Sequence, residues 1–73
     1  MNGGIMREIN LRIGNMHCGS CVKRVSQALE RVPGVQVGEV RVGAARVQAP
    51  EEVPAEVLVR TVEKAGYPAV IEQ

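Results

Sequence analysis

Phenylalanine, tryptophan and aspartate are absent from this chain, and tyrosine occurs once. Without large aromatic side chains, a hydrophobic core has to be assembled from Val, Ile, Leu, Ala and Met, and such a core is thin. The 73 residues therefore predict one domain of modest stability, residues 1–73, with its core over residues 6–72. A long basic stripe is missing, no aromatics are interleaved with Lys or Arg, and the formal net charge is +1. These features argue against nucleic-acid binding as the main task. No run approaches the ~18 apolar residues of a membrane span. Met1–Glu8 also lacks the charged-then-apolar order of a signal peptide. Together these absences predict a soluble, cytoplasmic protein with no membrane insertion. In that compartment thiols stay reduced, so the two cysteines are expected to be ligands or redox groups rather than a structural bridge.

What is present is patterned. Apolar residues make up 45% of the chain, a globular proportion. From Arg7 to Ile13, Ile9, Leu11 and Ile13 alternate with polar residues, the period of a strand with one buried face. Val22, Val25, Leu29 and Val32 recur at helical spacing, and Pro33-Gly34 ends that helix. Val35–Val42 reads as a second strand with Val40 and Val42 on one face. Val37 is out of phase with that pair, which marks Gly38 as a bulge. A turn at Gly43-Ala44 leads to a short third strand, Ala45–Ala49. Pro54 is placed at the first position of a second helix whose inner stripe is Leu58, Thr61, Val62 and Ala65. Gly66 ends it, and Ala69–Glu72 forms a last strand. The order βαββαβ predicts an α+β, ferredoxin-like fold with a four-stranded antiparallel sheet and both helices on one face.

The chemistry concentrates in Asn15-Met16-His17-Cys18-Gly19-Ser20-Cys21, between the first strand and the first helix. Two cysteines at this spacing bring their sulfurs to one point when the first lies in the loop and the second in the first helical turn. Free amide N–H groups and the helix dipole favour negative charge there and raise the thiolate fraction. Two thiolates make a soft site, suited to Cu(I). A structural zinc site usually takes four ligands, and only His17 stands nearby as a further strong donor.

Met16-His17-Cys18-Gly19-Ser20-Cys21, Pro33-Gly34-Val35 and Ala65-Gly66-Tyr67-Pro68, in this order, resemble the landmarks of the heavy-metal-associated domain family. The likeness runs from about Arg7 to Glu72. It implies the same βαββαβ fold and makes Cys18 and Cys21 the metal ligands. By the same likeness, Met16 packs inward to brace the loop, and Tyr67 lies near the metal as in bacterial copper chaperones. Two positions depart from the family pattern. Asn15 stands where many members have Gly, and His17 where Thr or Ser is common. Zinc- and cadmium-directed relatives often place Asp at the latter position, so its absence favours copper.

Each remaining candidate has a plainer alternative. His17 is either an occasional third ligand or a solvated loop residue. Tyr67 either shields the metal or caps the helix end. Lys23, Arg24 and Lys64 either edge the metal face and steer an acidic partner or form a solvated helix surface. The resulting expectation is a Cu(I) chaperone, not an enzyme. It would pass its metal by thiolate exchange to a metal-transporting P-type ATPase or another Cys-x-x-Cys domain. It is expected to be a monomer without metal, with a metal-bridged pair of copies left open. The rival readings are a Zn(II) or Hg(II) carrier, an N-terminal domain of a pump, and a thiol–disulfide oxidoreductase. Enzymes of the last kind resemble Trp-Cys-Gly-Pro-Cys, and this chain has His17 and Ser20 where Trp and Pro would stand.

Overall fold

In the computed structural model, which describes residues 6–72, the alternation that opens the chain becomes strand β1 (Met6–Ile13), with Ile9, Leu11 and Ile13 buried. The opening segment read above as no signal peptide lies mostly outside the described residues, as does Met1. The first apolar stripe becomes helix α1 (Gly19–Glu30), which buries Val25 and Leu29. Strands β2 (Gln36–Arg41) and β3 (Ala44–Pro50), helix α2 (Ala55–Lys64) and strand β4 (Ala69–Glu72) follow. The sheet order is β2-β3-β1-β4, and every neighbouring pair is antiparallel. This is the α+β, ferredoxin-like arrangement expected from periodicity.

The inward residues of the sheet, among them Ile9, Leu11, Val47 and Ala49, meet Val25 and Leu29 of α1 and Leu58 and Val62 of α2 in one core. Leu11, Leu29, Leu58, Val25, Val47 and Val62 are its largest fully buried side chains. Each stabilises the fold by roughly 1.5–3 kcal/mol through burial.

Two local expectations need correction. The register shifts between Val37 and Glu39, so Gly38 does form the bulge. The bulge resets the side-chain phase, and Val37 and Val40, not Val40 and Val42, pack against the core. Val42 has left the strand for the turn and is 54% exposed. Pro54 lies one position before the helix, with extended φ −67 and ψ 149, and α2 begins at Ala55. Thr61 is only half-buried, and its hydroxyl donates to the Val57 carbonyl at 2.7 Å.

The end of α2 sets up the site. Gly66 adopts φ +106, a region closed to most side chains but open to glycine. Its N–H donates to the Glu63 carbonyl at 2.9 Å, and the Tyr67 N–H donates to the Val62 carbonyl at 3.2 Å. Paired bonds of this kind close a helix end and reverse the chain. The reversal sends Tyr67 back into the core, where it is 8% exposed.

Candidate metal centre

The loop between β1 and α1 is tied down before it reaches the cysteines. The Ile13 N–H donates to the Gly43 carbonyl at 2.9 Å, and the Gly14 N–H donates to the Pro68 carbonyl at 2.8 Å. Asn15 then takes φ 64, a left-handed conformation that Asn tolerates better than most residues. This bend turns Met16 inward to 6% exposure. Its sulfur accepts a hydrogen bond from the Gly43 N–H at 3.4 Å. His17 and Cys18 emerge on the surface.

Cys18 directly precedes α1 in extended conformation. Its carbonyl accepts from the N–H groups of Cys21 at 3.1 Å and Val22 at 3.3 Å, which starts the helix. Cys21 therefore sits in the first turn, half-buried and packed against the core. Both cysteines are free thiols. One thiol is thus carried on the first turn of the helix and the other on the extended residue just before it.

Their surroundings favour the thiolate. The Ser20 side chain lies 3.0 Å from the Cys18 sulfur. That contact, with the Ser20 and Cys21 amides, lowers the Cys18 pKa, while burial and the neighbouring Cys21 oppose the shift. Cys21 is lowered to about 7, first by a hydrogen bond from the Tyr67 hydroxyl and then by the His17 amide. The same contact raises the Tyr67 pKa, because a phenol that donates to sulfur holds its proton. The lowered Cys21 pKa raises its share of thiolate at neutral pH, the form of cysteine that acts as nucleophile and metal ligand. Two adjacent sulfur anions repel each other, and a cation between them removes that repulsion.

Sequence reasoning did not single out Ser20. Its signal is a hydroxyl residue two positions after Cys18, within the first helical turn, where such side chains commonly bond locally. Arg24 was read as a partner-docking residue. It stands near enough to Tyr67 to hydrogen-bond it and to oppose the rise in its pKa. Lys23 is exposed on α1, and Lys64 is exposed in the last turn of α2. Among the described residues, no group of three His, Cys, Asp or Glu side chains is placed to hold a metal. His17 is thus not gathered with the two cysteines. The sulfur pair alone offers a soft, two-donor site.

Residues 10–68 match the heavy-metal-associated domain. The chain belongs to this family. An uncharacterized protein of Haemophilus influenzae is 38% identical over 66 residues, which cover 88% of this chain and 97% of that protein. The copper-exporting P-type ATPase of Mycobacterium tuberculosis is also 38% identical over 66 residues, but these make up 8% of its length. The crystal structure of a copper binding domain from HMA7, a P-type ATPase, superposes with a TM-score of 0.87 at 30% identity, covering 92% of this chain and 95% of that one. Among the described residues, no helix of this heavy-metal-associated domain is long and apolar enough to cross a membrane.

Proposed function

We propose that the chain carries Cu(I) between Cys18 and Cys21 and hands it to a second Cys-x-x-Cys site, in a metal-transporting P-type ATPase or another copper protein. The observation that carries this reading is the asymmetric thiol pair. Cys18 is exposed, while Cys21 is half-buried with its pKa lowered to about 7. The copper named in the relatives above supports the choice of metal, and the sulfur-only donor set suits it by ligand type.

The task is transport rather than catalysis. On loading, each thiol gives up its remaining proton and binds the ion as thiolate. Cu(I) accepts two or three sulfur ligands. An incoming thiolate adds first, giving a three-coordinate intermediate, and one of the original sulfurs then leaves. The open approach is at Cys18; Cys21 is held by its helix and by Tyr67. Lys23, Arg24 and Lys64 supply positive charge that offsets the anionic bis-thiolate centre and attracts an acidic partner. Met16 braces the loop from inside and leaves coordination to the thiolates, which are stronger donors than thioether sulfur. His17 stays a solvated neighbour. The same chemistry serves a free carrier or a domain of a longer pump. The apo chain acts as a monomer in the cytoplasm, and two copies can share one Cu(I) between their cysteine pairs.

The test is Cu(I) titration under reducing conditions with X-ray absorption spectroscopy, joined to equilibrium competition against Zn(II) and Hg(II). One Cu(I) per chain with two sulfur neighbours and no imidazole nitrogen is expected. Preference for Zn(II) over Cu(I), or selective tight capture of Hg(II), would replace copper by that metal.

A further inference from the structure

A shallow groove runs between the two helices on the face turned away from the sheet. Ala28 and Val32 of the α1 side and Val57 and Ala65 of the α2 side give it an aliphatic floor, and Arg31 and Lys64 flank it. Its volume is about 420 Å³, within the range of about 300–1,000 Å³ typical of ligand pockets. Val57 is 39% exposed, and Ala28, Val32 and Ala65 are only half-buried, so the floor is open to solvent. No carboxylate lines the groove. The ion pairs among the described residues, Arg12 with Glu72 and Arg46 with Glu39, lie on the sheet and leave Arg31 and Lys64 without an anionic partner. Lys23, Arg24, Arg31, Arg60 and Lys64 stand on or at the ends of the helices, with Glu30, Glu56 and Glu63 among them and Glu51 and Glu52 in the turn that leads into α2.

From this geometry we infer that the interhelical groove is a docking site for an acidic amphipathic helix of a partner protein. Such a helix lays aliphatic side chains at i, i+3 or i+4 and i+7 into an apolar groove. Carboxylates on its flanks meet Arg31 and Lys64, which sets orientation and rejects basic helices. Because the floor residues are small or β-branched, a helix can approach closely. This surface shares only Lys64 with the cationic surroundings assigned above to the cysteine pair, and it does not depend on which metal binds there.

The experiment uses the full chain with isotope-labelled methyl groups. It is titrated with a helical peptide of about four turns, bearing Leu at i, i+4 and i+7 and Glu elsewhere. A scrambled peptide of equal composition and mixed phosphatidylcholine–phosphatidylglycerol vesicles are titrated in parallel. Saturable shifts confined to the methyls of Val32, Val57 and Ala65, seen with the patterned peptide only, are expected. The Arg31→Glu/Lys64→Glu variant, changed only at exposed positions, should bind at least about tenfold more weakly. Val57→Ser should weaken binding while the dispersed spectrum of the folded chain persists. Equal response to the scrambled peptide, unchanged affinity after charge reversal, binding of vesicles alone, or no shift at the groove would each overturn the proposal.

Discussion

The backbone N–H of Gly43 points at the sulfur of Met16, 3.4 Å away. A turn between β2 and β3 thus holds down a loop nearly thirty positions earlier in the chain, and the thioether is occupied from within. The methionine beside the cysteines is spent on packing. Its substitution should therefore act on stability before it acts on metal.

Met16→Ala removes a buried side chain and leaves the Gly43 N–H without its acceptor. A loss of about 2–5 kcal/mol is expected. Met16→Leu keeps the volume and should lose less than about 1.5 kcal/mol. Urea unfolding measures both. The Leu variant should keep full Cu(I) stoichiometry, and a clear drop in its metal content would place the methionine among the ligands.

Tyr67→Phe removes the hydroxyl that holds the Cys21 pKa at about 7. The pH midpoint for iodoacetamide alkylation of Cys21 should move up toward the ordinary thiol range, about 8.5. The sign for stability follows from the same shift. Because folding lowers this pKa, the thiolate contact stabilises the fold fully above about pH 8.5. That contribution fades as pH falls through about 7. Urea midpoints should therefore rise with pH across this window in the natural chain and rise less in the Phe variant. Parallel curves would dismiss the Tyr67–Cys21 contact.

The Cys18→Ala/Cys21→Ala double variant should fold. Cys18 is exposed, and Cys21 only borders the core. It should lose tight Cu(I) binding altogether, as read by competition with a Cu(I) chelator. Retained affinity would refute the ligand assignment.

Gly66→Ala forces a side chain onto backbone at φ +106 and should reduce stability by roughly 1–2 kcal/mol. Any relief of that strain moves Tyr67, the next residue, away from Cys21. The alkylation midpoint of Cys21 should then rise together with the loss in stability. A variant with lowered stability and an unmoved midpoint would separate the two roles of this turn.

Most of the architecture was legible because each element carries its own local signal. The alternation of Ile9, Leu11 and Ile13, the helical spacing of Val25 and Leu29, and the breakers Pro33 and Gly66 all act over a few residues. The bulge at Gly38 is legible in the phase of Val37, but Val42 is not, because β2 stops at Arg41 and the turn before Gly43 carries Val42 off the sheet face. The thiol pair could be read from its spacing. Its tuning could not, because Tyr67 and Gly43 reach the loop through tertiary packing, from positions 46 and 27 residues away from the groups they contact. Ser20 was missed for another reason: its hydroxyl contact depends on a rotamer, which spacing does not reveal.

The two outer strands leave the molecule poorly equipped for uncontrolled stacking. β2 is interrupted by its bulge, and β4 runs for four residues. Among the described residues, neither offers a long straight ladder of free amides to a neighbour. Under the proposed exchange of metal between chains, such borders disfavour zipping along the sheet edges and leave the cysteine loop as the place of contact.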